Sequence, residues 1–75
     1  MQHFELVPIH DRRKSFYGKA KVIVSDEGTI FLKSYDTFVA LIEPDGTYKR
    51  IWDGNTQTTN RHIKEFKKQF NVKEV

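Results

Sequence analysis

Leu32-Lys33-Ser34-Tyr35-Asp36-Thr37-Phe38-Val39-Ala40 is the stretch that decides the fold. Two runs with strand character flank Ser34 to Thr37, a polar stretch too short for a crossover, so the two strands must be antiparallel neighbours. Asp36 and Thr37 suit such a turn because their side chains bond nearby backbone amides. Working towards the N-terminus, Ala20, Val22 and Val24 alternate with Lys21 and Ile23, the period of a half-buried strand. Ser25-Asp26-Glu27-Gly28-Thr29 then supplies a turn with glycine where a positive φ is needed. Towards the C-terminus the same five-residue form recurs as Glu43-Pro44-Asp45-Gly46-Thr47, which joins residues 37–42 to residues 48–52. The result is a four-stranded antiparallel β-meander over residues 16–53.

Beyond Asp53-Gly54-Asn55 the period changes. Ile63, Phe66 and Phe70 fall three and four apart, with Thr59 and His62 on the same flank, which predicts one amphipathic helix over residues 58–70. Thr58 or Thr59 caps its first amides, and Asn71 stands where a left-handed residue ends it. Arg61, Lys64 and Lys68 lie on the opposite side, their charge partly interrupted by Glu65. Residues 1–15 read as a short edge strand near Glu5 followed by a basic loop. The expected architecture is therefore a single α+β domain over residues 1–75: a four-stranded meander, flat or curled into a half-barrel, packed by one C-terminal helix.

A 75-residue chain buries only about 60% of the surface its unfolded form exposes, so little material is left for a deep substrate cavity. The absence of cysteine removes disulfides and thiolate metal sites. No run approaches the roughly 18 apolar residues of a membrane span, and Met1-Gln2-His3-Phe4-Glu5 lacks the character of a signal peptide, so a cytoplasmic protein is expected. The net charge of +3 favours approach to polyanions.

Few residues are grouped for chemistry. His3, His10 and His62 are scattered and form no spaced metal motif, so no metal, cofactor or enzymatic activity is expected. His62 reads as a hydrogen-bonded structural residue, with a ligand contact as its minority role. Thr58, Thr59, Arg61 and His62 resemble an anion site at a helix N-terminus. Tyr48-Lys49-Arg50-Ile51-Trp52, and Phe16-Tyr17 between Lys14 and Lys19, interleave aromatic and basic residues as single-strand nucleic-acid binders do. The sheet also carries more apolar residues than one helix can cover: Ile23 and Phe31 are expected outward with Tyr48 or Trp52. Their cover is the N-terminal segment, a curling of the sheet, a homodimer or another partner.

Phe16-Tyr17-Gly18-Lys19-Ala20, Ser34-Tyr35-Asp36-Thr37-x-Val39-Ala40, Trp52-Asp53-Gly54 and Thr58-Thr59-x-x-His62-Ile63-x-x-Phe66 stand in the order seen in a family of small domains of unknown function. The chain resembles that family, which is found in phages, prophages and gut bacteria, over roughly residues 16–70. Asn55-Thr56-Gln57 replaces the aromatic and serine of its relatives. The resemblance implies an accessory protein acting in a bacterial host. The leading expectation is a non-enzymatic module that inhibits or redirects a host defence or nucleic-acid-processing enzyme by stoichiometric binding. Its contacts would be Phe31, Tyr48, Arg50 and Trp52, rimmed by Arg12, Arg13 and Lys14. The alternative is direct binding of single-stranded DNA or RNA through Tyr17, Trp52, Arg50 and the helix lysines, and a third is sequestration of a nucleotide signal at Thr58, Thr59 and Arg61.

Overall fold

The computed structural model describes residues 2–12, 15–70 and 72. An open antiparallel sheet holds five strands in sequence order, β1 (Gln2–Glu5), β2 (Ala20–Val24), β3 (Ile30–Ser34), β4 (Thr37–Ile42) and β5 (Tyr48–Arg50), followed by α1 (Gln57–Phe70). The meander is thus one strand larger than the four expected. The short segment near Glu5 joins its edge by pairing Phe4 with Val22 and Glu5 with Lys21.

Both five-residue turns form as their residues dictate. Gly28 and Gly46 have φ of 91° and 93°, and their amides donate to the carbonyls of Ser25 and Glu43 at 3.0 and 2.8 Å. This is a tight turn followed by a left-handed glycine, the geometry of a three-residue hairpin loop. Thr29 N–H donates to Ser25 Oγ, and Thr47 N–H to Asp45 Oδ1, so a side chain reinforces each turn.

One irregularity fixes what is buried. Leu32 pairs with Ala40 but Lys33 pairs with Phe38, so Val39 is an extra residue in β4. Such a bulge breaks strict alternation. Val39 and Ala40, consecutive in sequence, are both buried, while Phe38 turns to the opposite face. The amides of Ile51 and Trp52 then both donate to the Val39 carbonyl, at 3.0 and 3.2 Å. Neither parity of residues 38–42 alone describes this strand.

The core lies between the sheet and α1 and comprises Leu6, Phe16, Ala20, Val22, Leu32, Val39, Ala40, Ile42, Ile63 and Phe66. The helix begins at Gln57. Its cap is Thr56, whose Oγ1 faces the Thr59 amide at 3.4 Å and whose carbonyl accepts from Asn60 N–H, so Thr58 and Thr59 sit inside the first turn rather than capping it. The proposed terminator, Asn71, lies outside the described residues.

The segment after β1 runs along the helix side, not over the far face of the sheet. Leu6 N–H donates to the Ala20 carbonyl, and Leu6 and Pro8 are buried. Glu65 holds the next residues. Far from interrupting the exposed charge of α1, it is only 2% exposed and accepts from His10 N–H at 2.8 Å and from Gln69 Nε2 at 2.7 Å. Gln69 Nε2 also donates to the Val7 carbonyl.

Burial pushes the Glu65 carboxyl up, but hydrogen bonds from Gln69 and from the backbone of His10 and Ile9 outweigh it and bring the pKa below 4.5. The unfolded chain then binds the proton more readily than the folded one. The stability Glu65 contributes is full above pH 4.5 and is lost as pH falls through its lower folded value. Glu65→Ala, which strands the His10 amide, should destabilise the fold by about 1–3 kcal/mol. Glu65→Gln should flatten the decline in stability below pH 4.5, as followed by urea unfolding across pH.

Candidate functional site

A cavity of about 260 Å³ opens where the β3–β4 turn, the chain entering β2 and the N-terminal half of α1 meet. Its walls carry the rings of Phe16, Tyr17 and Tyr35, and Lys19 and Arg61 supply positive charge. Ser15, Thr58 and His62 complete the lining, and none of its lining residues is acidic.

The two tyrosines have an unusual backbone. Tyr17 and Tyr35 have φ of 54° and 56°, a region that bulky L-residues rarely occupy. They are the non-glycine residues with positive φ among the described residues, and both line this cavity. Hydrogen bonds hold them there. Lys19 N–H donates to the Phe16 carbonyl at 2.9 Å, closing a turn through Tyr17 and Gly18, and Gly18 N–H donates to Glu5 Oε1 at 2.6 Å. Tyr35 N–H donates to the Lys19 carbonyl at 2.6 Å, which ties the two turns together. Tyr17 is 78% exposed and Tyr35 49%, so their rings remain open to a ligand.

Below them, Ser34 Oγ lies 2.8 Å from His62 Nδ1 and 3.1 Å from Thr59 Oγ1. Phe16 packs edge-on against the imidazole with centroids 4.5 Å apart. Burial pushes the His62 pKa below 6.5, and the Asp11 carboxylate opposes that shift in part. His62 is therefore a neutral ring at pH 7. Ser34 is 2% exposed and hydrogen-bonded on the inner face, so its hydroxyl braces the helix against the sheet. Asp11 also pairs with Arg61 at 3.5 Å and positions the guanidinium at the mouth.

The other expected contacts do not share one face. Phe31 points outward, beside Phe38 with centroids 5.7 Å apart. Tyr48 pairs with Ile42 on the helix side, with Lys67 Nζ 4.9 Å from its ring, and Trp52 packs against the core. Arg50 donates from Nε to the Trp52 carbonyl at 2.8 Å and from Nη2 to the Gly54 carbonyl at 2.5 Å. It lines a shallow groove with Lys64, Lys67 and Lys68. Arg12 stands beside Arg61 and Lys64 rather than at the rim of the outer face, and Arg13 and Lys14 lie outside the described residues. Among the expected anion-binding residues, Thr58, Arg61 and His62 line the cavity, whereas Thr59 is buried beneath it. Ser15, Phe16, Tyr17, Lys19 and Tyr35 line the cavity beyond those expected residues. A bulky residue at the centre of a two-residue turn was the available signal for Tyr35.

Fold and site define a small sheet-and-helix domain with an aromatic, cationic cleft and a basic helix face. The chain belongs to the family of unknown function DUF8033, which matches residues 4–75. That match takes in most of the N-terminal segment, so the likeness is longer than residues 16–70. No curated protein and no solved structure matches the chain. Among the described residues no group of histidines and carboxylates is arranged to hold a metal ion, and no helix is long and apolar enough to cross a membrane.

Ser34→Ala would leave His62 Nδ1 without this hydrogen bond and should cost about 1–3 kcal/mol. Because the folded pKa of His62 is depressed, the unfolded state takes up the proton first. Stability is unaffected by His62 above pH 6.5 and falls as pH drops from 6.5 towards the lower folded value. An NMR titration of the imidazole should show a midpoint below 6.5, and a midpoint at or above 6.5 would overturn the assignment.

Proposed function

We propose that this protein is a non-enzymatic binding module for single-stranded nucleic acid. The observation that carries the reading is the exposed face of α1. The helix's only carboxylate, Glu65, is turned inward, so Arg61, Lys64 and Lys68 form a basic ridge, joined by Arg50 and Lys67. The ridge meets an acidic group at its Arg61 end, where Asp11 pairs with the guanidinium. Single-strand binders combine such a charged track with aromatic surfaces, because phosphates are uniform and every base has a face to stack. The tyrosine-lined cavity lies at one end of the ridge and shares Arg61 with it. An accessory role inside a bacterial host cell belongs to this proposal and rests on the resemblance of the sequence blocks at residues 16–70 to phage and prophage domains.

Affinity for a single-stranded oligonucleotide should fall linearly with salt on logarithmic axes, with a slope of about −0.7 per phosphate neutralised. A Lys64→Glu/Lys68→Glu variant should reduce that slope by about 1.4 or more, as read by fluorescence anisotropy between low and moderate salt. Binding that ignores salt sinks the proposal.

A second reading rests on the other side of the sheet. Ile23, Phe31 and Leu41 stand in one cross-strand row with Phe38 alongside; Ile23 is buried, Phe31 and Leu41 are partly buried, and Phe38 is exposed. Lys33 Nζ lies 5.4 Å from the Phe38 ring. An apolar strip of this kind fits a protein partner, such as a host defence or nucleic-acid-processing enzyme bound stoichiometrically, or a second copy of the chain. Phe38→Ser removes a ring that is 46% exposed, so it should leave the melting temperature nearly unchanged while lowering any self-association seen by sedimentation velocity.

A further inference from the structure

We infer that the cavity between Tyr17, Tyr35 and Arg61 is a nucleotide site, holding one base against a tyrosine ring and its phosphate between Arg61 and Lys19. This deepens the strand-binding reading by assigning the cleft to a single nucleotide unit, terminal or turned out of a strand, and it extends to a free mononucleotide.

Four observations converge on that ligand class. Size is the first: about 260 Å³ lies just below the roughly 300–1,000 Å³ typical of sites for drug-sized molecules, which leaves room for one nucleotide and little more. Composition is the second. Aromatic walls alone would take any flat apolar group, and cations alone any anion, but rings and cations facing one space select a ligand that is both flat and anionic. The third is polarity at the wall. Ser15 and Thr58 carry hydroxyls able to meet a sugar or a base edge, and neutral His62 sits at the side without repelling a base.

The backbone supplies the fourth. A left-handed conformation costs an L-residue free energy, and glycine occupies it without that penalty. Here tyrosine takes it twice, at two turns joined by the Tyr35 to Lys19 hydrogen bond, and each time the ring reaches the same cleft. Neither ring is needed to fill the core, because Tyr17 and Tyr35 are among the exposed large side chains. Local folding therefore favours another residue at both positions. The Tyr35 ring lies among the cleft's own residues, with its centroid 6.0 Å from the His62 ring and 6.0 Å from Lys19 Nζ, and Tyr17 is 78% exposed. Recognition by stacking explains both rings. The same geometry supplies a clean test, since glycine at position 35 removes the ring and relieves the backbone.

The experiment is an NMR and calorimetric titration of the full chain with adenosine 5′-monophosphate, adenosine, ribose 5-phosphate and inorganic phosphate, run beside a single-stranded oligonucleotide. The expected result is binding of the monophosphate with shifts centred on Tyr17, Lys19, Tyr35 and Arg61. Adenosine and ribose 5-phosphate should each bind at least tenfold more weakly. Tyr35→Gly should keep the fold and weaken the monophosphate by roughly 5- to 150-fold, the range seen when one stacking ring is removed. Arg61→Gln should weaken the monophosphate but not adenosine. Ribose 5-phosphate or inorganic phosphate binding as tightly as the monophosphate would make the cleft a plain anion site and overturn the inference. So would an oligonucleotide that binds while the monophosphate does not and Tyr35→Gly changes nothing, a result that spares the strand-binding reading. Monophosphate binding without oligonucleotide binding keeps the nucleotide site and removes the strand.

Discussion

The buried carboxylate of Glu65 is the constraint on which the rest of this small domain depends. A carboxylate taken out of water is costly unless hydrogen bonds replace the water it loses, and here Gln69 and the backbone of the N-terminal segment replace it. That requirement pins residues 7–10 along α1. The pinned segment in turn brings Asp11 to Arg61 and helps to set the guanidinium at the cleft. It also removes the only negative charge from the exposed face of the helix. One inward carboxylate thus shapes the packing, the cleft and the surface potential.

The β4 bulge divides the sheet into two unlike faces. By adding Val39 to the strand it sends two consecutive residues into the core and turns Phe38 outward, where it meets Phe31 and Lys33. Without that extra residue, an alternating strand would bury either Val39 or Ala40 but not both. The helix side gains a fuller core. The other side keeps an aromatic pair of which Phe31 is partly buried and Phe38 exposed.

Sheet and helix are joined at the cleft by polar contacts as well as by packing. Ser34, Thr59 and His62 form a buried hydrogen-bonded group, and among the described residues every buried side-chain polar atom has a partner. A fully satisfied network of this kind holds its members in one arrangement. It supplies a firm floor beneath two tyrosines whose backbones are themselves held by the turns around them. Rigid walls lower the entropic cost of closing on a ligand, which suits a site that binds rather than one that must move.

Local chemistry made much of this legible. The paired turns, the alternation in β2 and the three-and-four spacing of Thr59, Ile63, Phe66 and Phe70 each depend on residues close in sequence, and they determine the hairpins, the meander order and the buried stripe of the helix. Other features depended on partners far along the chain. Glu65 looked like a solvent residue because the backbone amide it accepts from, that of His10, lies 55 residues away. Val39 looked like one of two alternating choices because a bulge is decided by how two strands and the residues after β5 share a carbonyl. Tyr17 and Tyr35 stand 18 positions apart, and only the antiparallel return of β3 beside β2 sets their turns together over α1. The sequence by itself determined which segments became strands and helix, because those preferences are set within a few residues. The tertiary structure alone decided which charges face inward and which rings share a cleft, because burial and convergence are properties of the packed chain.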